Sequence, residues 1–224
     1  MPAPRTIFFD VGNTLLFPNR QRIHAPLPAT LHPSLQQWQA LERKTKNEFD
    51  RNMQGGRVDH SFWWTFHTFL LRDMNAPQDE TGALRDELVR NTQLSANWDQ
   101  ILPGTRESLE RIGSKHAIAV ISNADGLIDA VLTRCGIRDC FRTITDSGII
   151  GHEKPHPAIF QAALASIHAD PAESLYVGDV YSVDYVGARD AGMNAILFDV
   201  AGTYRDCGLP RVESLEELEI WLKQ

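Results

Sequence analysis

From about residue 98 to the end of the chain, short apolar runs alternate with helical stretches, and this rhythm limits the fold more than any other feature. Pro103-Gly104 opens a helix that continues to Ile112. Ala117 to Ile121 reads as a strand ending in Ser122-Asn123, and Ile128 to Arg134 as a helix ending near Gly136. The alternation continues with a strand over Phe141 to Ile144, a helix over Pro157 to Ile167 and a strand over Ser174 to Val177 that ends in Gly178-Asp179. A helix over Val183 to Ala191, a strand over Asn194 to Phe198 and a terminal helix over Leu215 to Leu222 complete it. Strands separated by helices predict an α/β fold with a Rossmann-like, doubly wound parallel sheet.

The first strand stands apart from this series. Ile7-Phe8-Phe9 runs into Asp10 near the start of the chain, and no convincing strand follows until about residue 98. Leu35, Trp38, Leu41, Thr45 and Phe49 recur at helical spacing up to a break at Gly55-Gly56. Phe62 to Met74 predicts a second helix, dense in aromatics, and Glu80 to Leu94 a third. The expected organisation is a core of residues 1–16 and 98–224, with an all-helical cap domain, residues 17–97, inserted after the first strand.

Composition narrows the function classes. A formal net charge of −7 argues against a nucleic-acid-binding or membrane-surface protein. No apolar run approaches the roughly 18 residues needed to cross a bilayer. Met1-Pro2-Ala3-Pro4-Arg5 lacks the apolar region of a signal peptide. Cys135, Cys140 and Cys207 match no metal-site spacing, and reduced thiols in a cytoplasmic protein are expected.

In a doubly wound sheet, ligands bind outside the carboxyl ends of the strands. Three strands end there in polar residues: Asp10, Ser122-Asn123 and Asp179. Lys154, before Pro155 and a helix, adds a cation. Two carboxylates, a hydroxyl, an amide and one ammonium suit a phosphoryl group. The cation and donors hold phosphate oxygens, while the carboxylates hold a divalent metal or one of them attacks.

These pieces, in this order, resemble the haloacid dehalogenase-like hydrolase superfamily with a helical cap. The first motif, Asp-x-Asp-x-Thr after an apolar strand, is matched by Asp10 and Thr14, and the second by Ser122. The third is matched by Lys154 with Pro155, and the fourth, Gly-Asp-x-x-x-x-Asp, by Gly178, Asp179 and Asp184. Trp63-Trp64, and Asp184-Tyr185 after Gly178-Asp179, are similar to the branch related to an insect rhythmically expressed protein. The resemblance implies a hydrolase of a small phosphorylated metabolite, working through an aspartyl-phosphate on Asp10. It implies Mg²⁺ held by Asp10, the Gly12 main-chain carbonyl and Asp179, with Asp184 orienting bound water or Lys154 from behind. Ser122, the Asn123 backbone and Lys154 would bind phosphate, and Thr14 would support the first loop.

One position departs from the motif. Gly12 stands where the family has its second Asp, which protonates the leaving alcohol and then activates water, help worth roughly 10²–10⁴-fold. Glycine keeps the carbonyl for a metal but moves no proton. Asn13 follows in place of the usual Gly, and both tolerate a left-handed turn. His24, Asp59 or His60 are candidate substitutes from the helical segment. Phosphonatase-type enzymes carry Ala at this position and use a cap lysine, a role open to Lys44 or Lys46. A phospholigand-binding regulator without turnover is a third reading. Metal-free dehalogenation is disfavoured, because Asp179 and Asp184 keep the metal-binding pattern.

Other conspicuous residues take plainer readings. His152 and His156 flank Lys154 and are expected to be exposed. Phe62, Trp63, Trp64, Phe66 and Phe69 are expected to form the interior of the helical segment, with one or two rings at the substrate mouth. Glu213, Glu216, Glu217 and Glu219 are expected on a solvated helix face.

Overall fold

The computed structural model describes residues 3–53, 62–77 and 81–224. Along the chain lie β1 (Thr6–Phe9), α1 (Arg20–Ile23), α2 (Leu35–Asn52), α3 (Phe62–Asp73), α4 (Thr81–Gln93), α5 (Thr105–Gly113) and β2 (Ala117–Ser122). Then come α6 (Ile128–Arg134), β3 (Ile144–Asp146), α7 (Ser147–Ile150), α8 (Pro157–Ser166) and β4 (Ser174–Gly178). The chain closes with α9 (Val186–Asp190), β5 (Asn194–Phe198), β6 (Arg211–Val212) and α10 (Leu215–Trp221).

The strands form one parallel sheet in the order β3-β2-β1-β4-β5-β6. Side-chain alternation along β1 explains its central place. Ile7 and Phe9 enter an apolar layer with Val120, Val177, Leu109 and Leu218, while Phe8 enters the opposite layer with Ile121, Phe160 and Tyr176. Register then aligns the strand ends: Phe9 pairs with Val120 on one side and Val177 on the other. Asp10, Ser122 and Asp179 therefore leave the sheet at nearly one level, where the order reverses around β1 and a crevice opens.

The inserted helices have an interior of their own, built from Leu27, Trp38, Leu41, Phe66, Leu70, Leu71 and Leu88. Ser34 and Gln37 start α2 with a reciprocal capping box. The chain leaves and re-enters the α/β layers side by side, since Phe17 N–H donates to Gln100 O (2.7 Å) and Gln100 N–H returns a bond to Phe17 O (3.2 Å).

Several local expectations change. Leu35, expected on the buried stripe of α2, is 58% exposed at the first turn. The strand expected over Phe141 to Ile144 begins only at Ile144, because Arg138–Cys140 form a 3₁₀ turn before it. The helix expected over Val183 to Ala191 is a π-helical turn, Tyr181–Tyr185, running into the short α9. Both α7 and β6 are too short to leave a periodic signal. Gly55, Gly56, Asp59, His60 and Glu80 lie outside the described residues.

Candidate active site

Lys154 is the hub of the strand-end crevice. Its backbone is clamped by Asn123, whose Oδ1 accepts from Lys154 N–H (2.7 Å) and whose Nδ2 donates to Lys154 O (3.0 Å). The side chain is 2% exposed, and its Nζ donates to Asp10 Oδ1 (2.6 Å), Asp184 Oδ1 (2.7 Å) and Tyr176 OH (2.7 Å). Burial disfavours the charged amine, but Asp10 and Asp184 together outweigh it and hold the ammonium above its ordinary pKa.

Asp184 reaches this hub because Gly178 has no side chain. A Cβ at Gly178 would lie 2.6 Å from Asp184 Cγ and 2.8 Å from the Tyr176 ring. The second oxygen of Asp184 accepts from Val180 N–H (2.9 Å), which ties the carboxylate to the turn after β4. Tyr176 also donates to Asp184 Oδ1 at 3.0 Å, and burial first, then Asp184, raise its phenol well above the usual range.

Asp179 faces the inserted helices. Lys46 of α2, 1% exposed, places Nζ 2.8 Å from Asp179 Oδ2 and 2.7 Å from Glu42 Oε1, one helical turn earlier. Asn13, left-handed at φ 53°, donates to the same Asp179 oxygen at 3.3 Å. The same helix docks further along: Asp50 Oδ1 accepts from Ser182 N–H (3.1 Å), Asp50 Oδ2 from Tyr204 OH (2.8 Å), and Arg43 donates to Ala201 O (2.9 Å). Arg43, Lys46 and Asp50 follow one another at intervals of three and four, so one face of α2 makes all three contacts.

The charges do not balance. Among the described residues, four carboxylates (Asp10, Asp179, Asp184, Glu42) touch two ammoniums (Lys154, Lys46), leaving two formal negative charges. Burial pushes the Asp10 carboxyl up to about 6 against the pull of Lys154, and Asp179 up to about 7 against the pull of Lys46. Oxygens of Asp10, Asp179 and Asp184 lie within 4.8 Å of one another. A hard, oxygen-seeking divalent cation fits such a donor set in charge and in chemistry.

A cavity of about 350 Å³ opens over these groups. Asp10, Gly12, Ser122, Asn123, Lys154, Asp179 and Asp184 all line it, so the structure brings together these residues singled out from the sequence. Thr14 is different: it is 2% exposed, outside the lining, and its buried Oγ1 has no hydrogen-bond partner. His24 packs against Trp38 (5.3 Å between ring centroids) and does not line this cavity. Lys44 is paired with Asp73 (2.7 Å), while Lys46 reaches the site. His152 and His156 stack on each other (4.3 Å), exposed and outside the lining, and His156 caps α8. Phe62 and Trp63 line the cavity, whereas Phe66 is fully buried in the helical interior. Glu213 and Glu219 pair with Arg211 and Arg111 rather than standing alone in solvent.

Sequence reasoning missed Tyr176, Glu42, the Asn13 side chain and Trp98. Two signals were available: a tyrosine inside a buried strand needs a partner for its hydroxyl, and Glu42 and Lys46 form an i,i+4 pair beside the apolar stripe of α2.

Comparison with known proteins agrees with this architecture. The chain is 32% identical over 142 residues to human haloacid dehalogenase-like hydrolase domain-containing protein 3, a match covering 60% of this chain and 55% of that protein. The chain thus spans about half the length of that relative. It is 32% identical over 203 residues to a protein of Halopiger xanaduensis named ribulose-1,5-bisphosphate 5-phosphatase, covering 86% of this chain and 84% of that one. The fold superposes on the Bacillus subtilis HAD-hydrolase YfnB with a TM-score of 0.69 over 99% of both chains at 19% identity. Residues 4–192 match the family pattern of the haloacid dehalogenase-like hydrolases, and the chain belongs to that family.

Proposed function

We infer that the protein is a Mg²⁺-dependent phosphatase of a small phosphorylated metabolite, with Asp10 as the nucleophile. The observation that carries this reading is the buried set of Asp10, Asp179 and Asp184 around Lys154, which together with Glu42 and Lys46 leaves two negative charges uncompensated among the described residues. The phosphatase named among the relatives supports the same reaction class. Asp10, Asp179 and the Gly12 carbonyl would hold Mg²⁺, which when bound supplies charge stabilisation on phosphoryl oxygens. Lys154 holds a phosphate oxygen and keeps Asp10 ionised, and Asp184 with Tyr176 fixes the direction of its ammonium. Ser122 and the Asn123 backbone donate to the remaining phosphate oxygens, and Asn123 also positions Lys154 through its clamp. Thr14 supports the loop after β1. The helical segment, residues 17–97, acts as the cap, and α2 seats it on the turn after β4. No helix among the described residues is long and apolar enough to cross a membrane, and cytoplasmic action on a soluble metabolite accords with that.

A panel of phosphate esters assayed with Mg²⁺, for the parent and for Asp10→Asn, tests the reading. Turnover in the parent, its loss in the variant and a phosphorylated Asp10 trapped in mass spectra are expected. Equal activity in Asp10→Asn would sink the mechanism.

The position of Lys46 favours a second reading, carbon–phosphorus cleavage through a Schiff base on this lysine. Such chemistry needs the neutral amine, whereas Asp179 and Glu42 outweigh burial and hold Lys46 charged. Borohydride trapping with a phosphonoaldehyde distinguishes the two, since only the second reading leaves an adduct on Lys46.

A further inference from the structure

The place beside Asp10 where a proton donor would stand is an aromatic wall. A Cβ on Gly12 would meet ring carbons of Trp98 at 3.5, 3.7 and 3.8 Å. These are ordinary contact distances, so a methyl group fits, and the indole packs directly against it. The ring is held in place: Trp98 is 8% exposed, its Nε1 donates to Thr92 O (2.7 Å), and Trp63 packs on it at 5.4 Å between ring centroids. The indole N–H is thereby used, and the face turned to Gly12 is carbon only.

Phe49, Met53, Phe62, Trp63, Ile128 and Val183 also line the cavity, which is apolar over most of its wall; Thr92, Gln93, Ser95, Asp125 and Glu153 interrupt it. Lys46 is held between Glu42 and Asp179, and Lys154 among Asp10, Asp184 and Tyr176. The cavity therefore matches a phosphoryl group at one end and a mostly apolar, flat body beyond it, with no donor among the described residues built next to the bridging oxygen at Gly12.

Resting on the phosphatase reading, we propose that this site selects phosphorylated compounds whose leaving oxygen departs as a stable anion: acyl, enol or aryl phosphates with an apolar body, rather than simple alkyl or sugar phosphates. In the first step an Asp10 carboxylate oxygen forms a bond to phosphorus while the bond from phosphorus to the leaving oxygen breaks. The electron pair stays on that oxygen, which leaves as carboxylate, enolate or phenolate without taking a proton. Water then cleaves the aspartyl-phosphate, giving inorganic phosphate and the Asp10 carboxylate, with the water's protons ending on phosphate and solvent. Gly12 offers no base for this second step, so the phosphoenzyme accumulates with the best leaving groups.

The test is a series of substituted phenyl phosphates, from dinitrophenyl to unsubstituted phenyl phosphate, with an alkyl phosphate at the far end, measured as kcat/KM with Mg²⁺. That ratio reports the step that releases the alcohol. The expected result is a steady fall of about 10²-fold or more from the best to the poorest leaving group, because no acid offsets the rising leaving-group pKa. A burst of phenol matching the enzyme concentration is expected with dinitrophenyl phosphate. A nearly constant kcat/KM along the series overturns the proposal, because a proton is then being supplied. The double variant Gly12→Asp with Trp98→Ala makes room for a carboxylate, and it should flatten the series and raise alkyl phosphate turnover by about 10²-fold. Trp98→Phe keeps the wall and should keep the slope; a flat series in that variant overturns the proposal too. Absence of turnover on every ester, with no phosphorylated Asp10, would instead remove the phosphatase reading itself.

Discussion

The carboxyl end of the sheet and the interior of the inserted helices are both almost fully buried, yet they are built in opposite ways. The first packs four carboxylates, two ammoniums and a phenol into one crevice. The second packs Trp38, Phe66, Leu70 and Leu88 around two imidazoles. Burial favours neutral forms in both, with opposite signs for acid and base. Asp10 and Asp179 are pushed up to about 6 and about 7, whereas burial pulls His24 down to about 4 and His67 to about 3. The crevice holds charge at a cost in desolvation, while the helical interior stores stability and keeps its imidazoles neutral.

Removing one member from each region gives the largest effects. Lys154→Met strips a buried cation from two carboxylates and should cost about 3–5 kcal/mol in denaturant unfolding. Adding Asp10→Asn to it should restore part of that loss, since the charge left unpaired is gone. Phe66→Ala should cost about 3–5 kcal/mol by opening a cavity, and no charge substitution should restore it. Equal rescue of both variants by Asp10→Asn would erase the distinction between the regions.

Smaller effects separate the regions by pH. A carboxyl whose pKa is raised on folding destabilises the protein increasingly as pH climbs from its unfolded value through its folded one. Without Mg²⁺, Asp179→Asn should therefore gain about 1–2 kcal/mol at pH 8, a gain that shrinks below pH 7 and vanishes near pH 4. Lys46→Met should tighten Mg²⁺ binding by at least about tenfold, followed by calorimetry or tryptophan fluorescence. The reason is that like unit charges 4 Å apart repel by ~4 kcal/mol at an effective dielectric of 20. An unchanged or weaker affinity would mean that Lys46 does not oppose the metal.

The smallest change is expected at His24. An imidazole whose pKa is lowered on folding loses stability as pH falls below its unfolded value of 6.5 toward about 4. His24→Gln should leave stability at pH 8 within about 1 kcal/mol and move the acid unfolding midpoint to lower pH. A shift of the alkaline side instead would place its effect in the wrong region.

The α/β core was legible because its signals are local. Strand and helix periods alternate along the chain, and each strand that matters announces its end with a polar residue: Asp10, Ser122, Asp179. Parallel register does the rest, since pairing Phe9 with Val120 and Val177 forces those ends to one level. The inserted segment was legible as helices and as a source of site residues, but which of its residues reach the site was not. Lys46 and Lys44 looked alike in the sequence, yet one is locked into the crevice and the other lies near the surface beside Asp73.

The sequence by itself determined the parallel sheet and the strand-end residues Asp10, Ser122 and Asp179, because these follow from alternation and chain direction, while resemblance to a known family added Lys154 and Asp184 to the set. Only the tertiary structure decided that Lys46 meets Asp179, that Tyr176 joins Lys154 to Asp184, and that Trp98 covers Gly12. Those contacts depend on how helices and loops distant in sequence dock against one another. Docking is set by the summed packing of many side chains, and no short stretch of the chain carries its record.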